Sequence, residues 1–433
     1  MSAPEWIQQA EGWCASVENS SGGVMFIGAL VTLGNLLVFR ALLRRLHGIG
    51  AGRVVPCALA LVFWVLVSPM IVMGCGGLAG AHWIHSTLPA WLSVSGMAFQ
   101  FAVWVYGGVL LLAWLPGRLG AAVAKLRRAM NPERPALPME AKLADAERRQ
   151  LLKKAAFSIP AIIVTTAAAG GIESQRPPVV RRIQQRVRGD YSHLRGFKIA
   201  QFSDVHIGSY LERDRLNEIT TAINSLRPDM VVCTGDLIDN QLEQLEFAQR
   251  VLRNLRSPKG TYMCMGNHEY IAAQGHERTV IEAYEECGAS TLVDAAHRID
   301  VGGSHFWLGG TDFPGVAGGA LGDRPTTAQS MDRVLGDMDD DGAPRIVLSH
   351  HPKTFFEGRE RNIDLMLSGH THGGQISLGR IGDAELTPNL PFEFYHKGLY
   401  QHAGRNLYVN SGIGSWLPVR LNCPPEITLI ELA

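Results

Sequence analysis

Lys198-Ile199-Ala200-Gln201-Phe202-Ser203 reads as a buried strand, and Asp204-Val205-His206 follows it directly. The pattern recurs twice downstream. The apolar run 230–234 leads into Gly235-Asp236, and the run 260–265 leads into Gly266-Asn267-His268-Glu269. Between the first two runs, Leu216, Ile219, Ile223 and Leu226 recur at helical spacing, and a second helix is predicted over 242–255. This strand–helix alternation predicts a sheet flanked by helices. Further short strands are predicted at 306–309, 346–349, 365–368, 407–410 and 427–431. Two of them also end in polar residues, Ser349-His350-His351 and Gly369-His370-Thr371-His372.

In open α/β sheets, ligands bind at the carboxyl ends of the strands. Asp204, Asp236 and Asn267 are spaced by about 30 residues, the length of one βαβ unit, so they belong on neighbouring strand ends. Two Asp, one Asn and the histidines His206, His350, His370 and His372 offer mixed oxygen and imidazole ligation. That set suits manganese, iron or zinc better than magnesium or calcium. A carboxylate that bridges two ions makes a two-metal site about 3.5–4 Å across, which clamps a phosphate and lowers the pKa of a bound water. Glycine beside each ligand lets the backbone turn sharply. Asp239 and Glu269 read as turn or supporting residues, and His351 as facing away from the ligands if its strand continues. Cys233 and Cys264 read as core. Asp312 is a pocket or turn residue, and Phe392, Phe394, Tyr395 and Tyr400 are packing residues or contacts to a lipid or base.

The order Asp-x-His, Gly-Asp, Gly-Asn-His, His and Gly-His-x-His resembles the calcineurin-like metallophosphoesterase family, from Phe197 to the C-terminus. The resemblance implies two mixed β-sheets sandwiched between helices, with the site at one edge. It implies one metal on Asp204, His206 and His372, another on Asn267, His350 and His370, and Asp236 as the bridge. His268 would bind no metal and would stabilise the transition state or protonate the leaving oxygen. The implied cofactors are two divalent ions, manganese first, zinc or iron otherwise.

The N-terminal half has a different composition. No Asp, Glu, Lys or Arg stands between Arg53 and Arg118. Apolar runs at 22–39, 54–81 and 89–115 are each near the roughly 20 residues that span a bilayer. They predict a membrane domain over 1–120 with three transmembrane helices. A basic cytosolic linker follows at 121–154. A fourth, shorter run at 155–171 follows Glu147-Arg148-Arg149-Gln150-Leu151-Leu152-Lys153, which resembles a twin-arginine export signal but departs from it at Glu147 and Leu151. A basic connector at 172–196 leads to the catalytic domain at 197–433.

Arg40, Arg44, Arg45 and Arg53 place the first loop in the cytoplasm, as does the basic stretch after Arg118. If the fourth run crosses, the catalytic domain of this multi-pass membrane protein is external. Arg176, Arg181, Arg182, Arg186 and Arg188 favour the inside instead, or a seat on anionic headgroups.

These apolar runs narrow the resemblance to the membrane-associated branch of the family, with its YkuE-like and YaeI-like phosphoesterases and the animal transmembrane protein with a metallophosphoesterase domain. That branch implies a phosphodiester or pyrophosphate of a lipid or nucleotide-glycolipid as substrate, such as UDP-2,3-diacylglucosamine of lipid A synthesis. The alternatives are an exported phosphoesterase acting on another envelope phosphoester, a phosphoprotein phosphatase, or a non-catalytic metal-binding scaffold. Forty Lys plus Arg balance forty Asp plus Glu, which argues against a nucleic-acid binder working by bulk charge.

Overall fold

The computed structural model describes residues 35, 39–40, 169–186, 192–208, 211, 213–314, 324–382, 384–387, 393–415 and 419–433. The chain divides into two units, Ser21–Gly171 on the one hand and Met1–Ser20 with Ile172–Ala433 on the other; the part from Ile172 onward is described here. The predicted spans at 22–39, 54–81 and 89–115, and the run at 155–171, lie almost entirely outside the described residues. Among the described residues, no helix is long and apolar enough to cross a membrane.

Among the described residues from Ile172 onward, fourteen strands and six α-helices follow one another. The first part runs β1 (Val179–Gln185), β2 (Lys198–Phe202), α1 (Arg213–Ser225), β3 (Met230–Cys233), α2 (Leu245–Asn254), β4 (Thr261–Met263), α3 (Asn267–Ala273), α4 (Glu277–Glu285) and β5 (Ala289–Thr291). The second part runs β6 (Ala295–Val301), β7 (Ser304–Gly310), α5 (Thr327–Gly336), β8 (Arg345–Leu348), α6 (Phe355–Gly358) and β9 (Leu365–Ser368). A two-stranded ribbon follows, β10 (Arg380–Ile381) with β11 (Ala384–Glu385). The chain ends with β12 (Gly398–His402), β13 (Arg405–Val409) and β14 (Glu426–Leu432).

Two six-stranded mixed sheets result, ordered β1-β14-β2-β3-β4-β5 and β12-β13-β9-β8-β7-β6. The run β2-β3-β4-β5 is parallel throughout, as is β13-β9-β8-β7. Interior strands of parallel sheets are covered on both faces and so are apolar throughout. β3 shows the consequence. Met230 and Val232 enter the core between the sheets, where they join Phe306, Leu348 and Leu367. Val231 and Cys233 enter the core under the helices, with Leu216, Ile219 and Val251. On the second sheet, Val347 and Met366 pack outward against Met331 and Val334 of α5. The layers are therefore helix, sheet, sheet, helix, the architecture implied by the family resemblance.

The predicted strands and both helices appear within a few residues of their expected bounds. Other elements, among them α4, α5, β5 and β12, were not read from the sequence, and three of the features missed bear on the site or its surroundings. Val179–Gln185, placed within the basic connector, is an edge strand paired with β14. It carries four exposed residues in its first four positions, so it lacks the apolar signature of a strand. The β6–β7 hairpin, closed by Gly302 and Gly303 at positive φ, and the short helix α3 were also missed.

Candidate metal centre

Every predicted site residue leaves the carboxyl end of a strand. Asp204 and His206 follow β2, Asp236 follows β3, and Asn267 and His268 open α3 after β4. His350 follows β8, while His370 and His372 follow β9. The two sheets present these ends at one edge. The loops are tied to each other by main-chain bonds: the Asp204 N–H donates to Gly235 O at 3.0 Å, His206 N–H to Asp236 O at 3.1 Å, and Gly369 N–H to His350 O at 3.0 Å.

Five of these side chains hang from strained backbone. Asp204, His206, Asp236, His370 and His372 have φ of 50°, 49°, 55°, 70° and 49°. Non-glycine residues in this region cost about 1–3 kcal/mol each and cluster at functional sites. The neighbouring glycines serve space more than rotation. Gly266 has an ordinary φ, but a Cβ there would collide with Asp236. A Cβ on Gly369 would collide with Ser203 and Asp204.

Among the described residues donor atoms converge in four groups: Asp204–His206–His372 and Asp236–His350–His370, which hold the predicted ligands, and His206–Asp239–His268 and His351–His370–Glu393 beside them. In the first, His206 Nε2 and His372 Nε2 are 2.9 Å apart, and His372 Nε2 is 3.6 Å from Asp204 Oδ1. In the second, Asn267 Oδ1 lies 3.2 Å from His350 Nε2 and 3.1 Å from His370 Nδ1. Asp236 Oδ2 stands between the groups, 3.1 Å from His350 Nε2 and 3.8 Å from His206 Nε2.

Hydrogen bonds behind the rings fix which nitrogens are bare. His350 Nδ1 lies 2.7 Å from the Thr234 carbonyl, so Nδ1 carries the proton and Nε2 presents a lone pair. His206 Nδ1 faces Asp239 Oδ1 at 3.2 Å, with the same result. His350 Nε2 thus meets the Asn267 amide oxygen, the Asp236 carboxylate and, at 3.2 Å, His370 Nδ1. Buried polar atoms clustered in this way are costly unless a proton or cation sits among them. Divalent metals fit both groups of predicted ligands.

Charge follows the same logic. Burial, with help from neighbouring imidazoles and, for His372, from Arg420, keeps His370 and His372 well below the usual imidazole range, so both rings are neutral. Burial opposes charge on Asp236, but His350 and His268 overcome it and hold the carboxyl well below its usual range. His350 is pushed up to about 9 against its burial, chiefly by Asp236. His268 is likewise raised to about 10 against burial, by Asp236 and then Asp239. It stands in neither group of predicted ligands. Its N–H donates to Asp236 Oδ1 at 2.9 Å, and its Nδ1 lies 2.6 Å from the Asp239 carbonyl.

Asp239 and Glu269 are the supporting residues expected from the sequence. Asp239 orients His206 and His268 together. Glu269, fully buried, accepts the N–H groups of Asp236, Leu237 and Gly266 at 2.7–2.9 Å and so holds the bridge loop. His351 does not face away. β8 stops at Leu348, and the His351 ring stacks on His370 at 4.4 Å with Glu393 3.4 Å from its Nε2. Arg420, fully buried, was not singled out. Its guanidinium donates to the carbonyls of Ser411, Cys423 and Gly412 and reaches within 3.3 Å of His372 Nδ1. The available signal was a cation inside an apolar C-terminal stretch. Asp312 accepts from Tyr270 and Arg324, and Phe313 beside it packs on His350 and His370. Tyr395 and Tyr400 are packing residues, stacked edge-to-face in the outer core, and Phe394 is half exposed; Phe392 lies outside the described residues. Cys233 and Cys264 are core.

A model of the calcineurin-like phosphoesterase family matches residues 197–374. The metallophosphoesterase YkuE of Bacillus subtilis is 31% identical over 66% of this chain and 97% of its own. The chain belongs to the calcineurin-like phosphoesterase family. A Helicobacter pylori metallophosphoesterase is 34% identical over 54% of this chain, which spans 59% of that relative's length. The transmembrane protein with metallophosphoesterase domain of Danio rerio is 28% identical over 94% of this chain and 88% of its own. As a calcineurin-like phosphoesterase, the protein is a metal-dependent hydrolase of phosphate esters or anhydrides, and the two groups of predicted ligands are where its metals fit.

Proposed function

We propose that this chain is a membrane-anchored, two-metal hydrolase of a phosphodiester or pyrophosphate carried by a lipid or glycolipid, such as UDP-2,3-diacylglucosamine. The observation that carries the chemistry is the pair of buried Asp, Asn and His donor groups that meet at Asp236. Asp204, His206 and His372 would hold one ion and Asn267, His350 and His370 the other, with Asp236 between them. When bound, two divalent ions (manganese, with zinc or iron as alternatives) neutralise phosphoryl oxygens and lower the pKa of a bound water.

The chain's own residues do the rest. Asp239 holds His268 by Nδ1, which leaves Nε2–H as the donor toward a leaving oxygen. Asp236 keeps that ring protonated through neutral pH, as a general acid requires. Asp239 and Thr234 hold His206 and His350 in the tautomer that points a lone pair inward.

Membrane anchoring is supported by the apolar runs at 22–39, 54–81 and 89–115 and by the likeness to the Danio rerio transmembrane protein across 94% of the chain. An amphipathic substrate follows from a catalytic domain held at a bilayer.

The deciding assay uses the full chain in detergent with added manganese. Bis-p-nitrophenyl phosphate should be cleaved faster than p-nitrophenyl phosphate; the reverse order would favour the phosphoprotein phosphatase. Protease access to a C-terminal tag then chooses the substrate pool. A protected tag points to the cytosolic nucleotide-glycolipid, and a digested tag to an external envelope phosphoester.

A further inference from the structure

A groove of about 520 Å³ opens between β1 and β12, the edge strands of the two sheets. Strand register places it at the ligand-bearing edge. Val179 and Val180 pair with the start of β14, which runs antiparallel to β2, so the start of β1 is level with the end of β2. Gly398 pairs with Val409, and Val409 with Ser368 at the end of β9. The groove and the metal ligands therefore share one edge of the sandwich. Lys397 links them: its Cδ would lie 3.2 Å from a Cβ on Gly373, the residue after His372.

The lining is cationic. Arg181 is matched by Glu426 at 2.8 Å and Lys397 by Glu385 at 2.9 Å. Arg182 and Arg380 also line the groove, and neither has a carboxylate in ion-pair contact among the described residues. Exposed apolar side chains accompany the cations: Val180 and Leu399 line the groove, Val179 precedes Val180, and Leu378 and Ile381 stand within two residues of Arg380 in sequence. Leu378 and Ile381 are 72% and 68% exposed, too open for packing within the domain. Arg182 and Arg380, the latter over the Tyr400 ring at 5.0 Å and opposite Glu385, stand beside exposed aliphatic tips, and together they match an anionic bilayer surface, phosphate to the arginines and tips to the acyl boundary. A small soluble anion would use the arginines but not the tips. The chain course agrees: β1 starts eight residues after the apolar run 155–171 ends, a reach of at most about 28 Å.

We propose that this groove is an interfacial docking site for the headgroups of anionic phospholipid, which sets the catalytic edge against the bilayer. It rests on the membrane-anchored reading and not on the identity of the substrate. The test places the full chain in phosphatidylcholine nanodiscs with or without phosphatidylglycerol, each carrying a trace of a headgroup-diazirine analogue of its own lipid. Crosslinked peptides are mapped by mass spectrometry. Crosslinks at 179–183, 378–382 and 398–399 are expected with phosphatidylglycerol, and about tenfold fewer with phosphatidylcholine. Arg182→Glu with Arg380→Glu should lower them to the phosphatidylcholine level, and Leu378→Asp with Ile381→Asp should do the same. Crosslinks confined to residues before 172, or equal from both lipids, overturn the proposal. Loss of crosslinks on adding soluble glycerol phosphate also overturns it, in favour of a free-phosphate site. Hydrolysis of bis-p-nitrophenyl phosphate is measured alongside. Groove crosslinks without turnover sink the enzymatic reading and leave the docking site standing; turnover without groove crosslinks does the reverse.

Discussion

The first sheet delivers Asp204, Asp236 and Asn267 to the shared edge, with His206 beside them; the second delivers His350, His370 and His372. Oxygen and charge come from one side, and neutral or proton-sharing imidazole from the other. Neither predicted ion site lies within one half: Asp204 and His206 meet His372, and Asp236 meets His350 and His370. The carboxylates of the first sheet would repel one another, and Asp204 is already pushed up by burial and by Asp236. On the second side Glu393 faces His351 and His370, while His350 and His372 meet the carboxylates Asp236 and Asp204 of the first. The difference teaches that metal affinity here is a property of how the sheets pack, and that bound metal should in turn hold the sheets together.

The strongest way to break this comparison is Asp236→Asn, which removes the charge between the two groups. Turnover should fall by about 10²–10³-fold or more, and bound metal by elemental analysis should drop below two ions per chain. Full activity with two ions retained would mean that the first sheet's charge is dispensable. Next in size is metal removal. If ions staple the sheets, a chelator should lower stability by about 4 kcal/mol where free metal had stood a thousandfold above Kd. Calorimetry would show this as a lower and metal-dependent Tm; an unchanged Tm would separate the sheets' packing from metal binding.

His268→Gln sharpens the comparison, because His268 belongs to the first sheet but to neither group of predicted ligands. Turnover should fall by about 10²-fold with metal content unchanged. Loss of metal would place His268 among the ligands. The smallest effect is expected from Asp239→Asn. In the metal-free protein, His268 should titrate near 10, and the variant should move it toward the ordinary imidazole range, as read by NMR. A raised folded-state pKa stabilises the fold most below the unfolded value of about 6.5, and the gain fades as pH rises through 10. The variant should flatten that slope. An unmoved His268 would leave Asp236 alone responsible.

Much of this centre was legible because each donor sits where a short apolar strand stops, and the βαβ spacing puts those stops side by side. His351 was misplaced because the alternation argument needs a strand that continues, and β8 ends at Leu348. Arg420 and the ring that Asp239 supports were not legible. Their contacts are to rings that lie 48 and 33 residues away in sequence, and no local pattern encodes such a contact. β1 escaped notice because an exposed edge strand needs no apolar face of its own.

From the sequence alone followed the donor set, its order along the chain and the alternation of strand and helix, since these depend on residue type and local periodicity. Only the tertiary structure decided the rest: which nitrogens are bare, which backbones are strained, and that an edge strand from the supposed connector lines a cationic groove beside the metal ligands. Those properties arise from atoms of distant segments meeting in a buried space, where burial and approach set protonation and geometry that no single segment carries.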